Sequence, residues 1–81
     1  MGNNMGQQIY DILKEELPEI TAGIIVKEKC KKIGRTVDTI MLEDLKNLIP
    51  LILGPVLLLG GNKKAEKIKE KLERLVTSNP L

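Results

Sequence analysis

The apolar positions of the first third of the chain return at helical intervals. Met5, Ile9, Ile12, Leu13 and Leu17 are spaced by four, three, one and four residues, one face of an α-helix. Asn3 or Asn4 suits the cap of that helix, and residues 1–4 are expected to be loose. Pro18 interrupts the pattern and opens a new one, because proline and an acidic residue such as Glu19 both favour a first helical turn. Ala22, Ile25, Val26, Cys30 and Ile33 then make a second buried stripe, widened by Ile24. Lysines gather in the last two turns of this helix, and Gly34 suits the left-handed position that ends one. From Arg35 to Met41 no helical stripe is legible. This segment reads as a connector whose Val37 and Ile40 plug into the core.

A third helix is expected from about Leu42, with Glu43 and Asp44 in its first turn and Leu45, Leu48, Ile49 and Ile52 on one face. From there the pattern changes. Nine of the fourteen residues from Leu48 to Gly61 are Leu, Ile or Val, and none is charged. The apolar side chains surround the helix, which predicts burial on all sides. Pro50 and Pro55 each remove a backbone donor and predict a kink. One kinked helix, two short helices and a buried strand over 51–59 all remain open. Gly60-Gly61 should end the element, with Asn62 capping a last helix from Lys63 to about Thr77. That helix has a narrow seam of Ala65, Ile68, Leu72 and Leu75, with Val76 beside it. The pattern predicts an all-α, single-domain four-helix arrangement over 1–81. Its central apolar helix is kinked at Pro50/Pro55, and a frayed tail covers 78–81.

Composition sharpens this picture. The chain has 81 residues, no Phe, no Trp and a single Tyr, so aliphatic side chains must do the packing. A chain this short buries only about 60–65% of its unfolded surface, which leaves stability marginal unless packing is good or a second chain contributes. The Lys/Glu-rich surface with few amides suits a hyperthermophile-like composition. The net charge is only +2, but its sign alternates along the chain. Residues 1–22 are acidic, 23–35 basic, 36–61 acidic and 62–81 basic, as neighbouring antiparallel helices would arrange it. The lone Cys30 forms no internal disulfide and fits a reducing compartment. The N-terminal MGNNMGQQ has neither a basic region nor an apolar run, so no signal peptide is expected and the cytoplasm is the default.

Catalytic chemistry finds little support. There is no His, and the only Ser, Ser78, falls in the expected tail. Cys30 sits on an apolar stripe and reads as a small core residue, although neighbouring lysines would activate an exposed thiol. Glu15, Glu16 and Glu19 read as a solvated helix face. No cluster has metal-ligand spacing and no cofactor motif is present, so the expectation is not an enzyme. Gly60–Lys64 opens a helix with lysines but lacks the pattern of a phosphate-binding loop.

Residues 26–42, VKEKCKKIGRTVDTIML, resemble part of a DNA-binding helix-turn-helix. Cys30 stands where a small residue is wanted, Ile33-Gly34 leads into the turn and Ile40 stands where the second helix would dip into the core. That resemblance implies nucleic-acid binding. Lys29 and Arg35 depart from it, occupying positions that should be apolar, and Asp38, Glu43 and Asp44 would face phosphates with the wrong sign. A helix from Leu48 to Gly61 would span about 21 Å, short of a hydrocarbon core of about 30 Å. Shallow insertion in a membrane surface remains open.

These patterns support a non-catalytic protein–protein interaction module that self-associates, as a homodimer through the 48–61 stretch. Leu53, Val56, Leu57 and Leu58 are the contact candidates, with Leu53 and Leu57 pointing outward. The first alternative is a small nucleic-acid-binding protein using the basic helices 24–35 and 63–74, with Lys27, Lys31, Lys63 and Lys64 as candidate anion contacts. The second is a peripheral membrane-associated module.

Overall fold

The computed structural model describes residues 5–78. The expected loose N-terminus and its Asn caps, and the tail 79–81, lie outside the described residues. The elements are α1 (Met5–Glu16), α2 (Glu19–Lys32), a 3-10 turn (Leu42–Asp44) and α3 (Leu45–Ser78). No strand occurs among the described residues, so the run 51–59 is helix.

Pro18 makes the α1–α2 corner abrupt. The Leu17 N–H closes α1 on the Leu13 carbonyl at 2.9 Å, and the Pro18 carbonyl accepts the first bond of α2 from Ala22 at 2.9 Å. At the other end, α2 stops where the pattern put it. Gly34 has φ +76°, and the Arg35 and Gly34 N–H groups donate to the Cys30 and Lys31 carbonyls at 2.9 and 3.0 Å. This is the paired closure that a left-handed glycine allows.

The connector is a built turn. Thr36 and Thr39 bond each other's backbone reciprocally, Thr36 N–H to Thr39 Oγ1 at 2.8 Å and Thr39 N–H to Thr36 Oγ1 at 3.2 Å. The turn drives Ile40 into the core, where it is fully buried. Val37 lies against Gly6 of α1 so closely that a β-carbon at Gly6 would stand 2.2 Å from the Val37 carbonyl oxygen. Asp44 then fixes the entry to α3. Its carboxylate accepts the Met41 N–H at 2.9 Å and pairs with Arg35 at 3.0 Å.

The expectation of four helices is corrected to three. Residues 45–78 form one helical element that turns back on itself at Gly61, where φ is 82° and ψ 176°. A straight helix of 34 residues would run about 51 Å at 1.5 Å per residue. The longest dimension of the molecule is 33 Å, which excludes a straight helix. Lys46, Ile49 and Leu53 line one groove with Val76, Glu73 and Lys69, so the two arms, 45–60 and 62–78, lie side by side. A single glycine reverses the chain with no linker residues, which is why no separate fourth helix appears. The residue that leaves helical backbone angles is Gly61, where the sequence had placed the kink at Pro50/Pro55. Both prolines lie inside α3. The carbonyls they leave without a partner belong to Lys46, which is exposed, and Leu51, which is half-exposed. Water can therefore replace the missing donors.

The core is one aliphatic cluster. Ile9 and Leu13 from α1, Ala22, Val26 and Cys30 from α2, Ile40, and Leu45, Leu48, Ile52, Val56, Ile68 and Leu72 from α3 are essentially inaccessible. No charged or polar residue is buried among the described residues. Lys71 of the second arm ties α3 to α1, bonding Glu15 and approaching Glu16 at 3.7 Å. These exposed pairs orient the helices more than they stabilise them.

Candidate functional site

α3 buries only one side of its first arm. Leu45, Leu48, Ile52 and Val56 recur at three and four residues and face α1 and α2. Rotating away from that stripe, Leu53 is half-buried, Leu57 is 47% exposed, Leu58 88% and Leu59 63%. Val56 therefore belongs to the core, because it continues the Leu48–Ile52 stripe, and it leaves the set of contact candidates. Leu58 projects almost opposite to it.

Leu53 has a different neighbourhood from Leu58. It lines an open groove of about 710 Å³ between the two arms of α3, with Ile49 and Pro50 on one wall and Val76 on the other. Lys46, Lys69 and Glu73 border the same groove. The second arm covers part of the all-round apolar surface, which the sequence had left without cover. Gly54 faces open space, with no heavy atom within 4 Å of where its β-carbon would be.

The four candidate lysines form two separate pairs. Lys63 and Lys64 are exposed just beyond the Gly61 reversal, and the stem of Lys64 packs over Gly60. Lys27 and Lys31 lie one turn apart on the outer face of α2, lining a depression of about 750 Å³ with Ile24, Glu28 and Lys32. Ile24 was expected to widen the buried stripe. It is 55% exposed, and Ile20 is 78% exposed. Their four-residue spacing was visible in the sequence, but nothing there said which face of α2 meets the core.

Cys30 is free and fully buried. Burial, helped by the Asp44 charge, pushes its thiol above the ordinary value, so it stays protonated at neutral pH. Burial, and a hydrogen bond that the phenol donates to the Glu19 carboxylate, raise Tyr10 in the same way. Among the described residues no group of three or more His, Cys, Asp or Glu side chains could hold a metal ion.

Searched against protein-family models, curated proteins and solved structures, the chain finds no match. Its function must be argued from these surfaces. The helix-turn-helix resemblance gains nothing from the backbone. After Gly34 the chain makes the Thr36–Thr39 turn and a 3-10 turn, and the next α-helix begins only at Leu45. Among the described residues no helix is long and apolar enough to cross a membrane.

Proposed function

We propose that this chain is a non-catalytic self-association module, and that two copies meet through the outer side of α3. The observation that carries the reading is the exposure of Leu57, Leu58 and Leu59 beside the open groove that Leu53 lines. Fully burying one leucine is worth roughly 1.5–3 kcal/mol. In a two-fold pair each of these side chains is covered twice over, once in each copy. The groove border suits such pairing, because Lys46 and Lys69 can meet Glu73 of the opposite copy. A standard interface takes about 800 Å² from each partner. That is a modest share of the 5353 Å² that one copy exposes.

Sedimentation equilibrium at micromolar concentration tests the reading. The wild-type chain should sediment as a dimer or larger species. A Leu57→Asp, Leu58→Asp variant should sediment as a monomer with an unchanged helical circular dichroism spectrum, because both side chains already face solvent in one copy. A wild-type chain that stays monomeric at every concentration tested refutes the proposal.

A further inference from the structure

α2 carries a second stripe on the side away from the core. Ile20, Ile24, Lys27 and Lys31 follow one another at intervals of four, three and four residues, the spacing of a seam between two packed helices. The core stripe of the same helix, Ala22, Ile25, Val26 and Cys30, occupies the opposite face. Two isoleucines more than half exposed on a solvent face are unusual for a helix whose apolar needs are already met elsewhere. Beyond them the stripe becomes cationic. No carboxylate lies within ion-pair distance of Lys27, Lys31 or Lys32 among the described residues. Lys27 and Lys31 are also shared with an adjoining depression lined by Arg35, Thr36, Val37 and Asp38, so the cationic end of the stripe is continuous.

We infer that the outer face of α2 docks an acidic amphipathic helix from another protein. Apolar residues four apart on that helix would cover Ile20 and Ile24. Carboxylates one and two turns further along would meet Lys27 and Lys31. The seam from Ile20 to Ile24 to Lys31 is about 16 Å long, so three turns of partner helix suffice. Two features favour a peptide over other anionic surfaces. The apolar and cationic halves are segregated along the helix axis, whereas a membrane surface calls for them to lie on opposite sides of the helix. An apolar pair of isoleucines at one end suits neither a phosphate backbone nor stacked bases. This inference uses residues of α2 alone and does not depend on self-association through α3.

The test uses the full chain and a fluorescein-labelled, helix-forming 16-residue peptide. The peptide carries two leucines four apart, followed by glutamates at the next two positions of the same face. Fluorescence anisotropy should show saturable binding. A scrambled peptide of the same composition should bind at least tenfold more weakly. Ile24→Asp, and separately Lys27→Glu with Lys31→Glu, should each weaken binding at least tenfold while circular dichroism is unchanged, and Leu58→Asp should bind as wild type. Equal affinity for the scrambled peptide would overturn the inference, since it would reduce the face to a general polyanion attractor. Preferential binding to phosphatidylglycerol vesicles or to duplex DNA would overturn it in favour of those surfaces.

Discussion

Gly6→Ala isolates the contact that holds the connector against α1. The β-carbon it adds would stand 2.2 Å from the Val37 carbonyl oxygen and 2.6 Å from Val37 Cγ1. Ordinary contacts of that kind are more than 3 Å, so either the helix or the turn must shift by about an ångström. Neither shifts freely: the turn is closed by the Thr36–Thr39 bonds, and Ile40 beyond it is fully buried. Forced overpacking of this sort costs roughly 1–3 kcal/mol. Against that stands the better helix propensity of alanine, at most about 1 kcal/mol and less in a first turn. The net expectation is a loss of about 1–2 kcal/mol. Gly23→Ala is the control. It lies inside α2, and its added carbon would meet only Tyr10 Cε1, at an ordinary 3.7 Å. It should gain about 0.5–1 kcal/mol. Urea unfolding followed by far-ultraviolet circular dichroism, at one fixed protein concentration, should move the two midpoints in opposite directions with unchanged slope. A Gly6→Ala chain as stable as wild type would show that α1 and the connector are not in this contact.

Gly61→Ala should lower stability by about 1–3 kcal/mol in the same assay, because φ 82° with ψ 176° is a region open essentially to glycine alone. No change would mean that the chain reverses elsewhere. Cys30 should react with a thiol reagent far more slowly in the folded chain than in urea, and equal rates would remove it from the core. Raising the pH should weaken the fold. The thiol of Cys30, the phenol of Tyr10 and the ammonium of Lys71, the last held by Glu15, keep their protons to higher pH in the folded chain than in the unfolded one. Their contribution is complete below the ordinary thiol value of 9.0 and is lost as pH rises through the folded values. Urea midpoints measured from about pH 8 to about pH 11 should fall, and Cys30→Ala should flatten the first part of the decline. A flat profile refutes the assignment.

The helices were legible wherever a stripe had one face. Ile9 and Leu13, Val26 and Cys30, and Ile68 and Leu72 repeat every three or four residues, and all are buried. Gly34 announced its turn because few residues besides glycine accept its backbone angles. Legibility failed where apolar residues lay on more than one face. Periodicity alone could not decide whether Ile24 or Ala22 pointed inward, nor which of Val56, Leu57 and Leu58 met the core. For α2 that choice is made by packing against its neighbour α1 and against α3, and for α3 by packing against helices far away in sequence. The number of helices failed for another reason. Gly60-Gly61 was read as an end, and the backbone does leave helical angles at Gly61, but the second arm follows with no linker, so the two arms run on as one element. Of the contact candidates, Leu57 and Leu58 kept an exposed position, and Leu53 acquired a groove that no local pattern could have announced.

The reversal at Gly61 also bears on how cheaply the chain can close its contacts during folding. Leu53 and Lys69 border one groove from opposite arms, so a loop of only roughly 16 residues must close to bring them together. Lys71 and Glu15 join α3 to α1 across a sequence separation of 56. The entropy lost on closing a flexible loop grows as the logarithm of its length, so the second closure costs about 1 kcal/mol more than the first. The two arms of α3, like α1 and α2 across the Pro18 corner, are thus apolar surfaces that the chain can join by short closures, and docking α1 on α3 is the costlier step.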